Sequence, residues 1–229
     1  YIEEHLGKGA IQSIKVVNLM KKNMWLKRFS FEALQSQFIE IIDLLNKREV
    51  PYFVDCGALL GIVRDGDLLP WDNDTDLAIN AEDEAKLTAV VDEIRSLGWY
   101  CAFSNFSENN DFATREDRRV LKISDTWLGL FRGPTRMDIF LLYPMGEFRC
   151  WSAAQRYMRV KRNYFNGYDT IDWEGRKLRV PKNYTDYLTE KYGDWSVTVK
   201  NWSCKGELTI FGAETKVKRP IVVNKSNKT

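Results

Sequence analysis

The sequence predicts a mixed α/β (α+β) domain, and three observations predict it. Two segments place apolar residues at helical spacing: Phe31, Leu34, Phe38, Ile41, Ile42 and Leu45, then Leu87, Val90, Val91, Ile94 and Leu97. Short apolar runs of strand character at 50–54, 75–79, 99–104, 120–124 and 137–142 are interleaved with them. Apolar residues make up 44% of the 229-residue chain and include eight tryptophans, too apolar a composition for a disordered chain and enough to enclose a core. Strands and helices alternating in this way pack a sheet against flanking helices.

Taken in order, Ser30 offers an N-cap for the first helix. The 50–54 run reads as a short buried strand, and residues 57–61 as a turn leading into a short helix. Asp74 stands at the mouth of the 75–79 strand. Asn80 and Asp83 form a variant capping box for the next helix, which Gly98 ends. The polar stretch 105–117 is a loop, and 184–192 is a helix closed by Gly193. Ahead of these, 11–27 mixes Ile, Val, Leu and Met with Lys and Arg; it reads as a helix on the domain edge, with a membrane-surface helix as the sharper alternative.

Bulk properties exclude several function classes. With 34 basic and 32 acidic residues the net charge is +2, unlike a chain that holds nucleic acid by neutralising phosphates. No apolar run reaches the ~18–20 residues of a membrane span. The chain starts at Tyr1 rather than Met, which leaves room for a missing N-terminal anchor that would tie it to a membrane. Cys56, Cys101, Cys150 and Cys204 have no metal or redox spacing; disulfides and buried thiols are both open readings. The single histidine, His5, is poorly placed for a Ser-His or Cys-His mechanism. Asn-x-Ser/Thr sequons occur at Asn73, Asn105, Asn183, Asn201, Asn224 and Asn227, against roughly one or two expected by chance. The excess points to the secretory pathway and the Golgi lumen, with the cytoplasm of a bacterium with Asn-rich proteins as the alternative.

The chemistry concentrates in Trp71-Asp72-Asn73-Asp74-Thr75-Asp76. In an extended segment, side chains two apart share a face, with Cα atoms roughly 6.5–7 Å apart, so Asp74 and Asp76 project together. Carboxylates so close repel unless a cation lies between them. Mg²⁺ (or Mn²⁺) satisfies such a pair and bridges to substrate phosphates. Asp138, a lone acid at the start of an apolar strand, is the candidate third ligand. A calcium loop would need glycine where Leu77 stands. Gly57 and Gly61 permit close backbone approach, and amides at a helix start can hold phosphate oxygens, although a plain turn has the same signature. Arg64, and a cluster of Arg115, Arg118, Arg119 and Lys122, have the side chains to clamp a diphosphate or simply to form a solvated basic face.

Together, Asp55-Cys56-Gly57-Ala58-Leu59-Leu60-Gly61 and Arg64-Asp65-Gly66-Asp67-Leu68-Leu69-Pro70-Trp71-Asp72-Asn73-Asp74-Thr75-Asp76 resemble the LicD family, which includes fukutin and fukutin-related protein. Met137-Asp138-Ile139-Phe140 resembles its later Asp-containing strand. Trp173-Glu174-Gly175, Val180-Pro181, Tyr187-Leu188 and Tyr192-Gly193-Asp194-Trp195 resemble its C-terminal half. The resemblance implies a nucleotidyltransferase-like fold of the DNA polymerase β type, with a mixed sheet flanked by helices. The resemblance covers roughly residues 30–203, and with the composition of the two ends the chain divides into a basic helical segment (1–29), a catalytic domain (30–213) and a polar flexible tail (214–229). The resemblance implies transfer of phosphocholine, ribitol phosphate or glycerol phosphate from a CDP-linked donor to a glycan hydroxyl. Asp74, Asp76 and Asp138 would be metal ligands, Gly57 and Ala58 would lie under the donor phosphates, and Asp72 would orient or deprotonate the acceptor; Arg64 joins the phosphate-binding candidates by its own position between the glycine turn and the acidic motif. The chain departs from the family's usual Gly-Gly-Ser/Thr at Cys56-Gly57-Ala58, which removes a hydroxyl near the phosphates. Two other readings share these residues: a nucleotidyltransferase releasing pyrophosphate, and a catalytically silent glycan-binding module.

Overall fold

A computed structural model describes residues 31–127, 131–199 and 209–214. Helix α1 (Phe31–Lys47) forms where the first apolar stripe predicts it, and buries Leu34, Phe38, Ile41, Ile42 and Leu45. Strand β1 (Phe53–Asp55) runs straight into helix α2 (Cys56–Asp65), which Gly66 ends in the left-handed conformation. After the 67–74 loop come β2 (Thr75–Asn80), a 3₁₀ turn (Ala81–Asp83) and α3 (Glu84–Ser96). Strands β3 (Tyr100–Asn105), β4 (Arg118–Trp127), β5 (Phe131–Met145), β6 (Phe148–Ala153) and β7 (Arg156–Lys161) follow. A hairpin of β8 (Tyr168–Trp173) and β9 (Arg176–Pro181), helix α4 (Tyr184–Tyr192) and edge strand β10 (Ile210–Ala213) complete the described chain.

The sheet turns on β5. Its middle pairs in parallel with β2, from Thr75↔Met137 to Asn80↔Leu142, and antiparallel with β4. Parallel neighbours need a long crossover, here supplied by α3, β3 and β4. Past Leu142, β5 leaves these partners and pairs with β6, from Tyr143↔Cys150, and the sheet continues through β7 to β10. β1 flanks β2 on the other side, and the β8–β9 hairpin lies against β1. The centre of β2 and β5 is a continuous apolar run, as a strand buried on both faces requires: Leu77, Ala78, Ile79, Ile139 and Leu141 are fully buried.

Several expectations need correction. The Asn80–Asp83 capping box does not form: neither side chain caps, and the Asn80 amide donates instead to the Phe165 carbonyl at 3.2 Å. Leu97 falls past the last turn of α3 and is 43% exposed, while Gly98 stops the helix as expected at φ 97°. The first strand begins at Phe53, with Val50 and Tyr52 buried ahead of it. Five strands, β6 to β10, were not anticipated. Cys101 and Cys150 are buried thiols. The 11–27 segment, Ser30, Cys204 and the sequons at Asn201, Asn224 and Asn227 lie outside the described residues. Glu214, where the polar tail begins, accepts hydrogen bonds from Ser107 and Ser152. Among the described residues no helix is long and apolar enough to cross a membrane.

Candidate active site

Strand register places a row of charge across four neighbouring strands. Asp55 on β1 is opposite Asp76 on β2. Asp76 is beside Asp138 on β5, and Asp138 is opposite Lys122 on β4. Side chains at paired positions share a face of the sheet. Lys122 Nζ donates to Asp138 Oδ2, whereas Asp138 Oδ1 is buried with no hydrogen-bond partner.

Asp55 joins the row to α2. Its Oδ1 accepts from the Cys56 backbone N–H at 2.6 Å, capping the helix, and Cys56 turns the chain from strand to helix at φ 50°. This left-handed geometry costs a residue with a side chain roughly 1–2 kcal/mol. The same oxygen accepts from Tyr187 Oη at 2.6 Å and Lys191 Nζ at 3.1 Å, both on α4.

The first turn of α2 packs face to face with the 67–72 loop. A Cβ on Gly57 would fall on the Asp72 carboxylate, and one on Gly61 would lie 2.6 Å from the Asp67 carbonyl oxygen. Asp72 is held over Gly57 by its backbone N–H to Leu69 O (3.0 Å), and its Oδ1 accepts from the Asn73 N–H (3.1 Å). A cavity of about 460 Å³ opens between these elements. Gly57, Arg64, Asp72, Asp74 and Asp76 line it together with the aromatic side chains of Phe140, Trp151, Tyr192 and Trp195.

The electrostatics are those of crowded acids. Asp74 is pushed up to about 6, by burial first and then by the charges of Asp72 and Asp138, with Lys122 opposing. Asp76 is pushed well above the usual carboxylate range by burial, then by Asp74, Asp138 and Asp55, with Lys191 opposing. Asp72 is raised by burial, and hydrogen bonds from the Asn73 N–H and with Asp74 counter that.

Of the residues singled out from sequence, Gly57, Arg64, Asp72, Asp74 and Asp76 meet at one cavity. Asp138 stands beside Asp76 in register. Ala58 turns into the core at 3% exposure, so only its backbone faces the turn. Arg64 lines the cavity, but its guanidinium grips Asp65 through two 2.8 Å bonds. The basic cluster does not assemble as a clamp: Arg118 pairs with Glu84, Arg115 with Glu116, Arg119 with Glu214 and Lys122 with Asp138. Sequence reasoning named Asp55 and Tyr187 within motifs but gave them no role, and missed Trp151 and Lys191. The signal available for Tyr187 and Lys191 was their i,i+4 spacing on the buried stripe of α4.

Among the described residues no three acidic, cysteine or histidine side chains already form a metal cage. Mg²⁺ does not require one, since it commonly takes one or two carboxylates and completes its shell with water and substrate phosphates. The partnerless Asp138 Oδ1 beside Asp76, and the mutual repulsion of the acids, fit a cation held in that way.

A family model described as the LicD/FKTN/FKRP nucleotidyltransferase domain matches residues 49–183. Ribitol 5-phosphate transferase FKRP of Mus musculus is 33% identical over 187 residues, covering 74% of this chain and 33% of that protein. Ribitol-5-phosphate transferase FKTN of Homo sapiens is 24% identical over 165 residues, covering 70% and 32%. The chain therefore spans about a third of the length of these relatives. Among solved structures, the lincomycin-bound lincosamide antibiotic adenylyltransferase LnuA aligns over 69% of this chain and 87% of that one, at 12% identity and a TM-score of 0.42. The family match runs from ahead of β1 to the start of α4 and encloses every carboxylate of the row, and on that ground the chain belongs to the LicD/FKTN/FKRP family of nucleotidyltransferase domains.

Proposed function

We propose that this chain is a divalent-metal-dependent phosphotransferase that moves a phospho-alcohol from a CDP-linked donor to a sugar hydroxyl of a glycan. The names of the FKRP and FKTN relatives put ribitol phosphate first among the alcohols, ahead of glycerol phosphate and phosphocholine. The observation that carries the reading is the Asp76–Asp138 pair, in register on parallel strands, with one buried oxygen lacking a partner.

Asp76 and Asp138, with Asp74 at the strand mouth, are the residues that would hold Mg²⁺ or Mn²⁺. When bound, the cation supplies charge neutralisation for the diphosphate and the departing CMP. Gly57, in the first turn of α2, lines the same cavity, and backbone amides at a helix start would suit phosphate oxygens. Asp72, set over Gly57 and lining the cavity with Asp74, is placed to accept the proton of the attacking hydroxyl. Phe140, Trp151 and Trp195 add apolar surface to the same cavity, which would limit water around the reacting groups. Donor and acceptor would meet in line across the transferred phosphorus.

The test is release of CMP from CDP-ribitol, CDP-glycerol and CDP-choline, with Mg²⁺ or Mn²⁺ and a glycan acceptor. Absence of CMP with every donor sinks the reading. Nucleotidyl transfer is the second reading, supported by the shared acidic row, and pyrophosphate release from a nucleoside triphosphate would select it. Tight donor binding without product would select a silent glycan-binding module. For location we propose the secretory pathway: Asn105 and Asn183 are exposed sequons, and loss of mass on glycosidase treatment of protein from secreting cells tests it.

A further inference from the structure

Lys191 lies outside the span matched by the family model, yet it reaches the heart of the site. It occupies the last turn of α4 and is 0% exposed. Lysine is almost never fully buried unless its charge is met. Here Nζ donates to Asp55 Oδ1 at 3.1 Å, to Tyr187 Oη at 3.2 Å and to Cys56 Sγ at 3.2 Å, and sits 5.0 Å from the centre of the Trp151 ring.

The place of Asp55 decides what this contact does. Asp55 ends β1, caps α2 through the Cys56 N–H, and precedes by two residues the glycine on which Asp72 rests. A shift of the α2 first turn therefore moves Gly57, which lines the cavity and is the seat of Asp72. Asp55 is also one end of the carboxylate row. Lys191 meets the charge at that end as Lys122 does at the Asp138 end, with Asp76 between them. Stability alone is a poor reason for such a pair, because an apolar replacement of a buried ion pair is often neutral or stabilising.

We propose that Lys191 is a positioning residue of this active site: from α4 its buried ammonium fixes Asp55, and through Asp55 the first turn of α2 against the carboxylate row. It touches no reacting atom. Its kinetic consequence rests on the phosphotransfer reading above, whereas its effect on α2 does not.

The experiment compares the parent with Lys191→Met, the charge-neutral double variant Asp55→Asn/Lys191→Met, and Tyr187→Phe. The readouts are thermal unfolding, steady-state kinetics with CDP-ribitol, and amide hydrogen exchange of the peptide covering 54–61. Lys191→Met, which leaves Asp55 charged and buried, should unfold at lower temperature. The double variant should recover the unfolding temperature but keep a donor KM raised about tenfold, with exchange at 54–61 about tenfold faster than in the parent and exchange in α1 unchanged. Tyr187→Phe should show the same pattern at about threefold. Parent-like KM and parent-like exchange in the double variant would overturn the proposal and reduce the pair to core filling; if the double variant does not fold, Tyr187→Phe decides by the same two readouts. If the parent turns over no CDP-alcohol, the phosphotransfer reading falls and hydrogen exchange alone decides on Lys191.

Discussion

The α-carbon of Gly57 and the carboxylate of Asp72 face each other with no room for a methyl group between them. The glycine is needed for what lies over it, since its own backbone is ordinary helix. Gly57→Ala must push Asp72 aside or move α2. Overpacking of this kind costs about 1–3 kcal/mol, and on the proposed reading turnover should fall at least about tenfold, because the proposed acceptor base shifts on the order of 1 Å. Thermal unfolding and CMP release check both. Adding Asp72→Ala to Gly57→Ala should restore stability without restoring turnover.

The Asp74 carboxyl gives a stability signature in the absence of divalent metal. Burial and the neighbouring acids raise it to about 6 in the folded chain, against about 3.9 when unfolded. Between these values the folded chain holds a proton that the unfolded chain has lost. Stability therefore falls as pH rises from about 4 to about 6, and the whole cost is present above that window. Asp74→Asn should exceed the parent by about 1–2 kcal/mol above pH 6, after allowance for solvent screening, and match it near pH 4. Urea unfolding across pH 4–8 in the presence of a chelator measures this.

Asp76→Asn should lower turnover by about 100-fold or more, the scale set by removing one charge-stabilising group from a transition state. Mn²⁺ affinity, read by titration, should fall with it. Turnover left intact by Asp76→Asn would refute its assignment as a metal ligand.

Arg136 and Asp125 form a buried ion pair at 2.9 Å, and neither lines the cavity. Asp125→Ala leaves a buried guanidinium without its carboxylate and should cost about 3–5 kcal/mol. The kcat and KM of the protein that stays folded should be unchanged. Denaturant unfolding and kinetics below the transition separate the two effects.

The acidic motif was legible because the strand period of two decides which carboxylates share a face. The apolar stripes of α1 and α3 were legible for the same kind of reason. The neighbours of Asp76 were less so: that Asp138 stands beside it and Asp55 opposite it depends on register between distant strands, and local spacing does not encode register. Lys191 read as an ordinary cation at the end of an amphipathic helix, where a positive charge complements the dipole; its buried partner is 136 positions away. Strands β6 and β7 escaped notice because arginines interrupt their apolar pattern. Arg149 is nevertheless buried, with Glu82 at 2.8 Å meeting its charge, and Arg159 lies over the Phe148 ring.

The pairing of β2 with β5 has a consequence for how this family can vary. Asp76 meets Asp138 only because both strands are counted from the same starting line, Thr75 against Met137. One residue inserted between Thr75 and Asp76, or between Met137 and Asp138, would turn one of the two acids to the opposite face of the sheet. The loop at 106–117 is under no such constraint of register, because it joins antiparallel neighbours, β3 and β4, whose pairing a longer connection need not alter. Insertions and deletions among descendants of this chain should therefore gather in that loop and spare β2 and β5, where the two strands act as a ruler for the site.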